Sequence, residues 1–355
     1  MKYTSIDRIQ QGEKLGKHIF ASDGRVLLND GVPLTVALIS KLRRMGVNAV
    51  YLKDDRLSDV TLEEVVSDKT KNEAIVTLSQ SFQFIQSGKD FDTQEVGNTA
   101  RKLIDEILQN KDVLVNLTDI RTNDNELFVH SVNVCIISII VAIQLGLDPK
   151  RIQELAIGAL MHDLGKVLPE QQEAEGLNSK LEDEEFQGDH TWKGFNYLRK
   201  IKDISTLSAH VALTHHEHVD GTGFPRKLKG EDIHFLSKIV AVANHYDNLI
   251  TATNGSAALL PHEACERIMG LSNIYFDHNV VWKFLRSIAF YPTGSQVKLT
   301  TGETGVVVAQ HRGLPQRPIV RTFTIDHHTY GGDDFEVKEV DLAKETTIFI
   351  ESILM

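Results

Sequence analysis

From about residue 71 to residue 290, apolar side chains recur at the three- and four-residue intervals of a buried helical face, with stops at Gly146, Gly188 and Gly221. That texture predicts an all-helical domain. The flanks read differently. Short apolar runs at 17–20, 25–28 and 49–52 suggest strands, and 34–45 has helical spacing that closes on Gly46. After Tyr291 and Pro292 come five short β-rich runs, at 296–299, 305–309, 318–323, 335–340 and 346–350, separated by Gly, Pro and Asp turns. The expected fold is therefore mainly α. An all-helical domain at 111–290 is flanked by a small α+β unit at 1–55 and a small all-β, barrel-like unit at 293–355, with a helical linker region at 56–110.

Composition narrows the function classes. A net charge of -11 argues against a long nucleic-acid groove, which needs a basic field. It leaves room for a small phosphorylated ligand met by one or two lysines or by bound cations. The two cysteines, Cys135 and Cys265, lie far apart, so a reducing cytoplasm is expected. The first residues, MKYTSIDRIQ, contain no apolar stretch of the kind that directs secretion. The greasiest run, 132–147, is interrupted by Asn133, Ser138 and Gln144 and is shorter than the roughly 20 residues of a span, so it reads as a buried helix. In the tail, Arg312, Arg317 and Arg321 read as solvated surface charges or, alternatively, as phosphate contacts.

Histidine is not spread evenly along the chain. Ten of the 15 fall between His130 and His262. In LAIGALMHDLGK, 155–166, a helix opened by Asp148 and Pro149 carries Ile152, Ala156 and Ala159 on one stripe, with Asp163 at the next position. A carboxylate pointed into an apolar core requires a cation, and Asp can bridge two metals with its two oxygens. His162 lies about 100° round the helix and can approach another side of the same cluster. In THHEHVDGTGFP, 214–225, His215 and His216 continue two buried faces of a helix from about Ser205. Adjacent histidines on a helix cannot face one point, but they can serve two ions. His190, in GDHTWKGF, precedes Gly194, which permits close approach. In ELFVH, Glu126 and His130 share a face if Asn123 caps the helix, although Glu126 is equally placed to complete a capping box. IVAVANHYDNL, 239–249, puts Asn244 and Asp247 on a greasy face where both need partners.

HD followed by LGK, then a distant His, HHE, DGTGFP and a buried helix ending in YDNL resembles the HD-GYP family of cyclic di-GMP phosphodiesterases, over roughly 126–290. The resemblance implies two or three divalent ions, Fe or Mn, and hydrolysis of cyclic di-GMP or a related cyclic dinucleotide to pGpG or GMP in bacterial signalling. It implies metal ligation by His162, Asp163, His190, His215 and His216. It also implies a third ion at Glu126 and His130, and a phosphate contact from Lys166. Asp163 and Lys166 are then the catalytic candidates, with Lys166, Gly223, Phe224 and Pro225 against substrate. The macromolecular partner is left open between a second copy of the chain and a signalling protein.

The sequence departs from the family pattern at three places. Phe224 replaces the tyrosine of the GYP motif and lacks its hydroxyl. Asn244 stands where the family has a ligating Asp; the neutral amide can coordinate through oxygen but contributes less charge. The cations that follow in the family are absent, with Thr253 and Ser256 in their stretch. Two further functions are therefore weighed: a degenerate member that binds cyclic di-GMP or a partner without efficient turnover, and a phosphohydrolase for another nucleotide.

Overall fold

The computed structural model describes residues 1–116, 120–168, 190–251, 258–325 and 335–354. Gly188, Thr253 and Ser256 lie outside the described residues.

In the amino-terminal unit, β1 (Lys2–Ser5) pairs antiparallel with β4 (Ala49–Leu52), and β2 (Ile19–Phe20) with β3 (Val26–Leu28). Between them α1 (Val36–Arg44) opens on Thr35, whose hydroxyl accepts from the Leu38 N–H. Its chain then reverses at Gly46, where φ is 86°. Leu15, Ile19, Leu34, Leu42, Val50 and Leu52 form the core of this unit.

The helical domain comprises α2 (Asp68–Gln86), α3 (Thr93–Gln109), α4 (Glu126–Gln144), α5 (Pro149–Met161), α6 (His190–Leu198), α7 (Thr206–Thr214), α8 (Phe235–Leu249), α9 (Pro261–Gly270) and α10 (His278–Leu285). α4 packs against α5 and α8, and α5 against α7. By length and composition α4 resembles a membrane span, but 78% of its most apolar window is buried among the other helices, which makes it the core helix. The segment 56–110, read above as a linker region, shares this core through Leu78, Phe82, Leu103 and Ile107.

Two helix ends differ from expectation, and both bear on the site. α4 starts at Glu126 with Asn125 at its N-cap, so Asn123 does not cap it and the Glu126 capping box is not formed. Asn125 instead turns its Oδ1 to the Thr122 N–H and its Nδ2 to the Phe20 carbonyl, while the Asn123 N–H donates to the Met45 carbonyl. α5 begins as expected at Asp148 and Pro149 but ends at Met161, and Asp163 sits at the start of a tight turn, Leu164–Val167. Asp163 is nevertheless buried, at 1% exposure, because the turn folds under α6 rather than out to solvent.

The tail is a five-stranded antiparallel sheet of β5 (Gln296–Leu299), β6 (Thr304–Ala309), β7 (Ile319–Ile325), β8 (Phe335–Asp341) and β9 (Ile350–Ile353), in the order β8-β7-β6-β5-β9. The last strand starts later than its sequence pattern predicts. Arg317 takes the carbonyls of Thr346 and Ile348, which are thereby lost to a β ladder. None of the three tail arginines is simply solvated. Arg312 pairs with Asp112, Arg317 lies 4.2 Å over the Phe349 ring, and Arg321, 11% exposed, forks onto Asp59 at 2.7 Å and also bonds Glu339.

Candidate metal centre

The site is assembled where the turn after α5 meets the ends of α6 and α7. A Cβ at Gly165 would come within 1.8 Å of the His190 carbonyl oxygen, so only glycine lets the turn lie against the start of α6. Gly158 gives α5 the same freedom toward Val211 of α7. Ser205 caps α7, as its position before the apolar run predicts, and Thr214 at the other end bonds Ser237 of α8 at 2.7 Å. His215 and His216 follow directly.

The two oxygens of Asp163 face two groups of imidazoles. Oδ2 lies 3.4 Å from His162 Nε2, 3.5 Å from His130 Nε2 and 2.5 Å from Lys166 Nζ. Oδ1 lies 3.4 Å from His190 Nε2 and 3.8 Å from His215 Nε2. His216 Nε2 completes the second group, 3.2 Å from His190 Nε2. Within each trio, His130 with His162 and Asp163 and His190 with His215 and His216, the donor atoms lie within 4.8 Å of one another.

The tautomers decide what such crowding means. The Nδ1 of His162 bonds the Ala159 carbonyl at 2.7 Å, and that of His215 bonds the Ala212 carbonyl at 3.0 Å. A carbonyl only accepts, so each Nδ1 carries the proton and the neutral ring presents a bare Nε2 lone pair to the site. His130 does the same through its Nδ1, which lies 2.6 Å from Asp247 Oδ2. His130 and His162 therefore aim two acceptors at each other across 3.3 Å, beside Asp163 Oδ2, while the buried Asp163 Oδ1, which faces His190 and His215, has no hydrogen-bond partner. Acceptors converging on a buried, unanswered carboxylate oxygen fit divalent cations, which bond imidazole nitrogen at about 2.0–2.2 Å.

The electrostatics agree. Burial pushes the Asp163 carboxyl up, yet it is held well below its ordinary value, with the Lys166 ammonium on Oδ2 as the cation beside it. Burial, followed by the neighbouring histidines, drives His215 well below the usual imidazole range and His216 down to about 3, so both stay neutral. Burial raises both cysteine thiols, which removes thiolate from the donor set.

Of the expected site residues, the structure brings together His130, His162, Asp163, Lys166, His190, His215 and His216. Two others stand apart. Among the described residues, no hydrogen bond or ion pair joins Glu126 to the cluster. Asn244 is buried, but its Oδ1 accepts from Asn248 Nδ2 at 3.1 Å, one turn along α8. His245 packs on the Phe276 ring at 5.2 Å, and His218 stacks on Tyr275 at 3.8 Å. The turn at Gly223, Phe224 and Pro225 forms one wall. Phe224 stacks on His216 with ring centroids 4.6 Å apart. Glu217, 2% exposed, accepts from the N–H groups of Arg226 and Leu228 and so ties the turn to the end of α7. Sequence reasoning missed Glu217, whose neighbours drew the attention, and Arg121, which no local pattern marks.

Residues 103–280, half of the chain, match the family model described as HD domain. The chain belongs to the HD domain family. Residues 296–355 match a KOW domain associated with HD domain. This HD-domain chain is 32% identical over 247 residues to a cyclic di-GMP phosphodiesterase of Pseudomonas aeruginosa, covering 68% of its own length and 58% of that protein. It is 33% identical over 148 residues to a cyclic di-GMP phosphodiesterase of Thermotoga maritima, covering 41% and 40%. A 3'3'-cGAMP-specific phosphodiesterase of Vibrio cholerae is 32% identical over 150 residues, covering 39% and 30%. The matched stretch thus spans less than two thirds of each relative.

Proposed function

We propose that the chain is a metal-dependent phosphodiesterase that opens the 3'-5' linkage of cyclic di-GMP, or of a related cyclic dinucleotide, to give pGpG and/or GMP. The observation that carries this reading is Asp163: a fully buried carboxylate whose two oxygens face separate groups of imidazole nitrogens. Relatives named for cyclic di-GMP and for 3'3'-cGAMP support the substrate class.

Two ions are proposed, Fe or Mn, held by His130, His162 and Asp163 on one side and by Asp163, His190, His215 and His216 on the other. Imidazole with carboxylate oxygen suits these metals. The third ion that the resemblance implies at Glu126 is not proposed, because among the described residues no hydrogen bond or ion pair joins Glu126 to the cluster. Bound there, the ions supply a water nucleophilic at neutral pH and offset charge on the phosphoryl oxygens. The chain's own residues do the rest. Asp163 holds both groups in one frame, and the carbonyl-bonded histidines keep their lone pairs aimed inward without reorganising. Lys166, half-exposed at the mouth, can release Asp163 Oδ2 and meet a phosphate oxygen. Phe224, stacked on His216, gives the second group an apolar wall that needs no hydroxyl to hold its place. Buried, unpaired Cys135 and Cys265 suit a reducing bacterial cytoplasm.

The test is turnover of cyclic di-GMP and 3'3'-cGAMP, side by side, by protein prepared without oxygen and loaded with Mn(II) or Fe(II). A linear dinucleotide or mononucleotide is expected, and Asp163→Ala removes it. No product at any loading, with cyclic di-GMP still bound, would replace this reading by binding without turnover.

A further inference from the structure

Arg121 lies outside every motif singled out in the sequence, yet it forms a two-point ion pair beside the centre. Its guanidinium forks onto Asp247, with Nη1 2.9 Å from Oδ2 and Nη2 2.5 Å from Oδ1. Asp247 is fully buried; Oδ1 also accepts from Asn133 at 3.3 Å, and Oδ2 accepts from His130 Nδ1 at 2.6 Å. Every contact to this carboxylate is thus a donor. With both oxygens occupied by fixed donors, the carboxylate cannot rotate, and it presents one lone pair to His130 Nδ1. The His130 proton is thereby kept on Nδ1, and the bare Nε2 points at His162 and Asp163.

We propose that Arg121 is a positioning residue: through Asp247 it sets the tautomer and ring orientation of His130 and so makes His130 a metal ligand. The segment that carries Arg121 is held from outside the helical domain. Ile120 packs on the core of the amino-terminal unit, the Asn123 N–H donates to the Met45 carbonyl, and Asn125 Nδ2 donates to the Phe20 carbonyl. Arg121 therefore also carries the position of the amino-terminal unit into the first ligand group. This inference rests on the metal-centre reading above, but it is independent of which nucleotide is cut.

The experiment uses the full chain as wild type, Arg121→Ala and Arg121→Lys. Mn(II) binding is measured by titration calorimetry, the His130 tautomer by nitrogen-15 shifts of labelled imidazole in metal-free protein, and folding by thermal melting. Arg121→Ala is expected to weaken Mn(II) binding by about 10- to 100-fold, as loss of a residue behind a ligand does, and to mix the His130 tautomers. Arg121→Lys keeps the charge but offers one point contact instead of a fork. It should restore most of the melting temperature and only part of the affinity, and it carries the test if the alanine variant does not fold. Affinity within about twofold of wild type in Arg121→Lys with an unchanged His130 tautomer, or affinity that simply tracks melting temperature, overturns the proposal. Turnover of cyclic di-GMP enters none of these readouts, so failure of the substrate reading would show separately, as absent product with metal binding intact.

Discussion

Asp163 and Asp247 are both fully buried, both contact His130, and both carry a carboxyl held below its ordinary value against the upward push of burial. They differ in what surrounds them. Around Asp247 the protein supplies donors: the Arg121 fork, the Asn133 amide and the His130 Nδ1–H. Around Asp163 it supplies one lysine on one oxygen and a ring of imidazole acceptors, leaving the other oxygen unanswered. A buried charge answered by protein donors is a strut, whereas one facing acceptors is half of a binding site whose other half is a cation. The α8 side of the cavity is thus built to hold shape, and the side formed by the turn after α5 is built to hold metal.

Substituting the two carboxylates should split these roles. Asp163→Ala removes the shared ligand, so turnover in the Mn(II)-loaded protein is expected to fall by roughly a thousandfold or more, with fewer ions bound per chain by elemental analysis. Metal-free Asp163→Ala should lose less stability than Asp247→Ala, since protein donors answer only one of its two oxygens. Asp247→Ala strikes the metal-free fold harder. It removes the one acceptor that Arg121, Asn133 and His130 share in the buried interior, and should cost about 3 kcal/mol in urea unfolding. A stable Asp247→Ala beside an unfolded Asp163→Ala would reverse the contrast and break it.

The two sides should also separate in pH. His216 titrates near 3 in the folded chain because of burial and then His190, and His215 is depressed as well. An unfolded histidine takes up its proton near 6.5. Between those values the unfolded state binds protons that the folded state refuses, so metal-free protein loses stability as pH falls below about 6.5, by about 1.4 kcal/mol per pH unit for each such histidine. Asp247 acts in a lower window. Its folded pKa is depressed, so its contribution is complete above the unfolded aspartate value near 3.9 and is lost only below it. Urea unfolding of metal-free protein at pH 7, 6 and 5 is expected to show a decline of roughly 2–4 kcal/mol. A flat profile across that range would mean that the histidines are not held neutral.

The legible part of this site was the part written within single stretches of chain. Asp163 is buried beside His162, as expected, although through a turn rather than a helical stripe. His215 and His216 close α7 and both join the second imidazole group. The less legible part depends on partners far away in sequence. Arg121 meets Asp247 across 126 residues, and no periodicity at Arg121 announces that contact. Asn244 was weighed as a ligand from its place in a motif, but Asn248, one turn on, claims its oxygen. Glu126 completes no capping box: its helix starts later than Asn123 suggested, because the segment before it is tied to Met45 and Phe20 of another unit. In the tail, the strand expected at 346–350 is displaced by Arg317, a side chain competing for backbone carbonyls.

Arg321 offers the smallest effect and the sharpest control on the contrast between the two carboxylates. Like Asp247 it sits in a cluster whose charges are answered by protein groups, here Asp59 and Glu339, and Asp59 is lowered to about 2 chiefly by its bond to Arg321. Unlike Asp247, its partners face water, at 64% and 51% exposure, so solvent can take over their charge when the arginine is removed. Arg321→Ala is therefore expected to lower the melting temperature by no more than about 2 °C and to leave Mn(II) affinity and turnover unchanged. If it instead cost as much as Asp247→Ala, being answered by protein donors would be the whole of what makes a strut, and burial would add nothing. If it changed Mn(II) affinity, the join between the segment at Asp59 and the tail would reach the metal centre by a route other than Arg121.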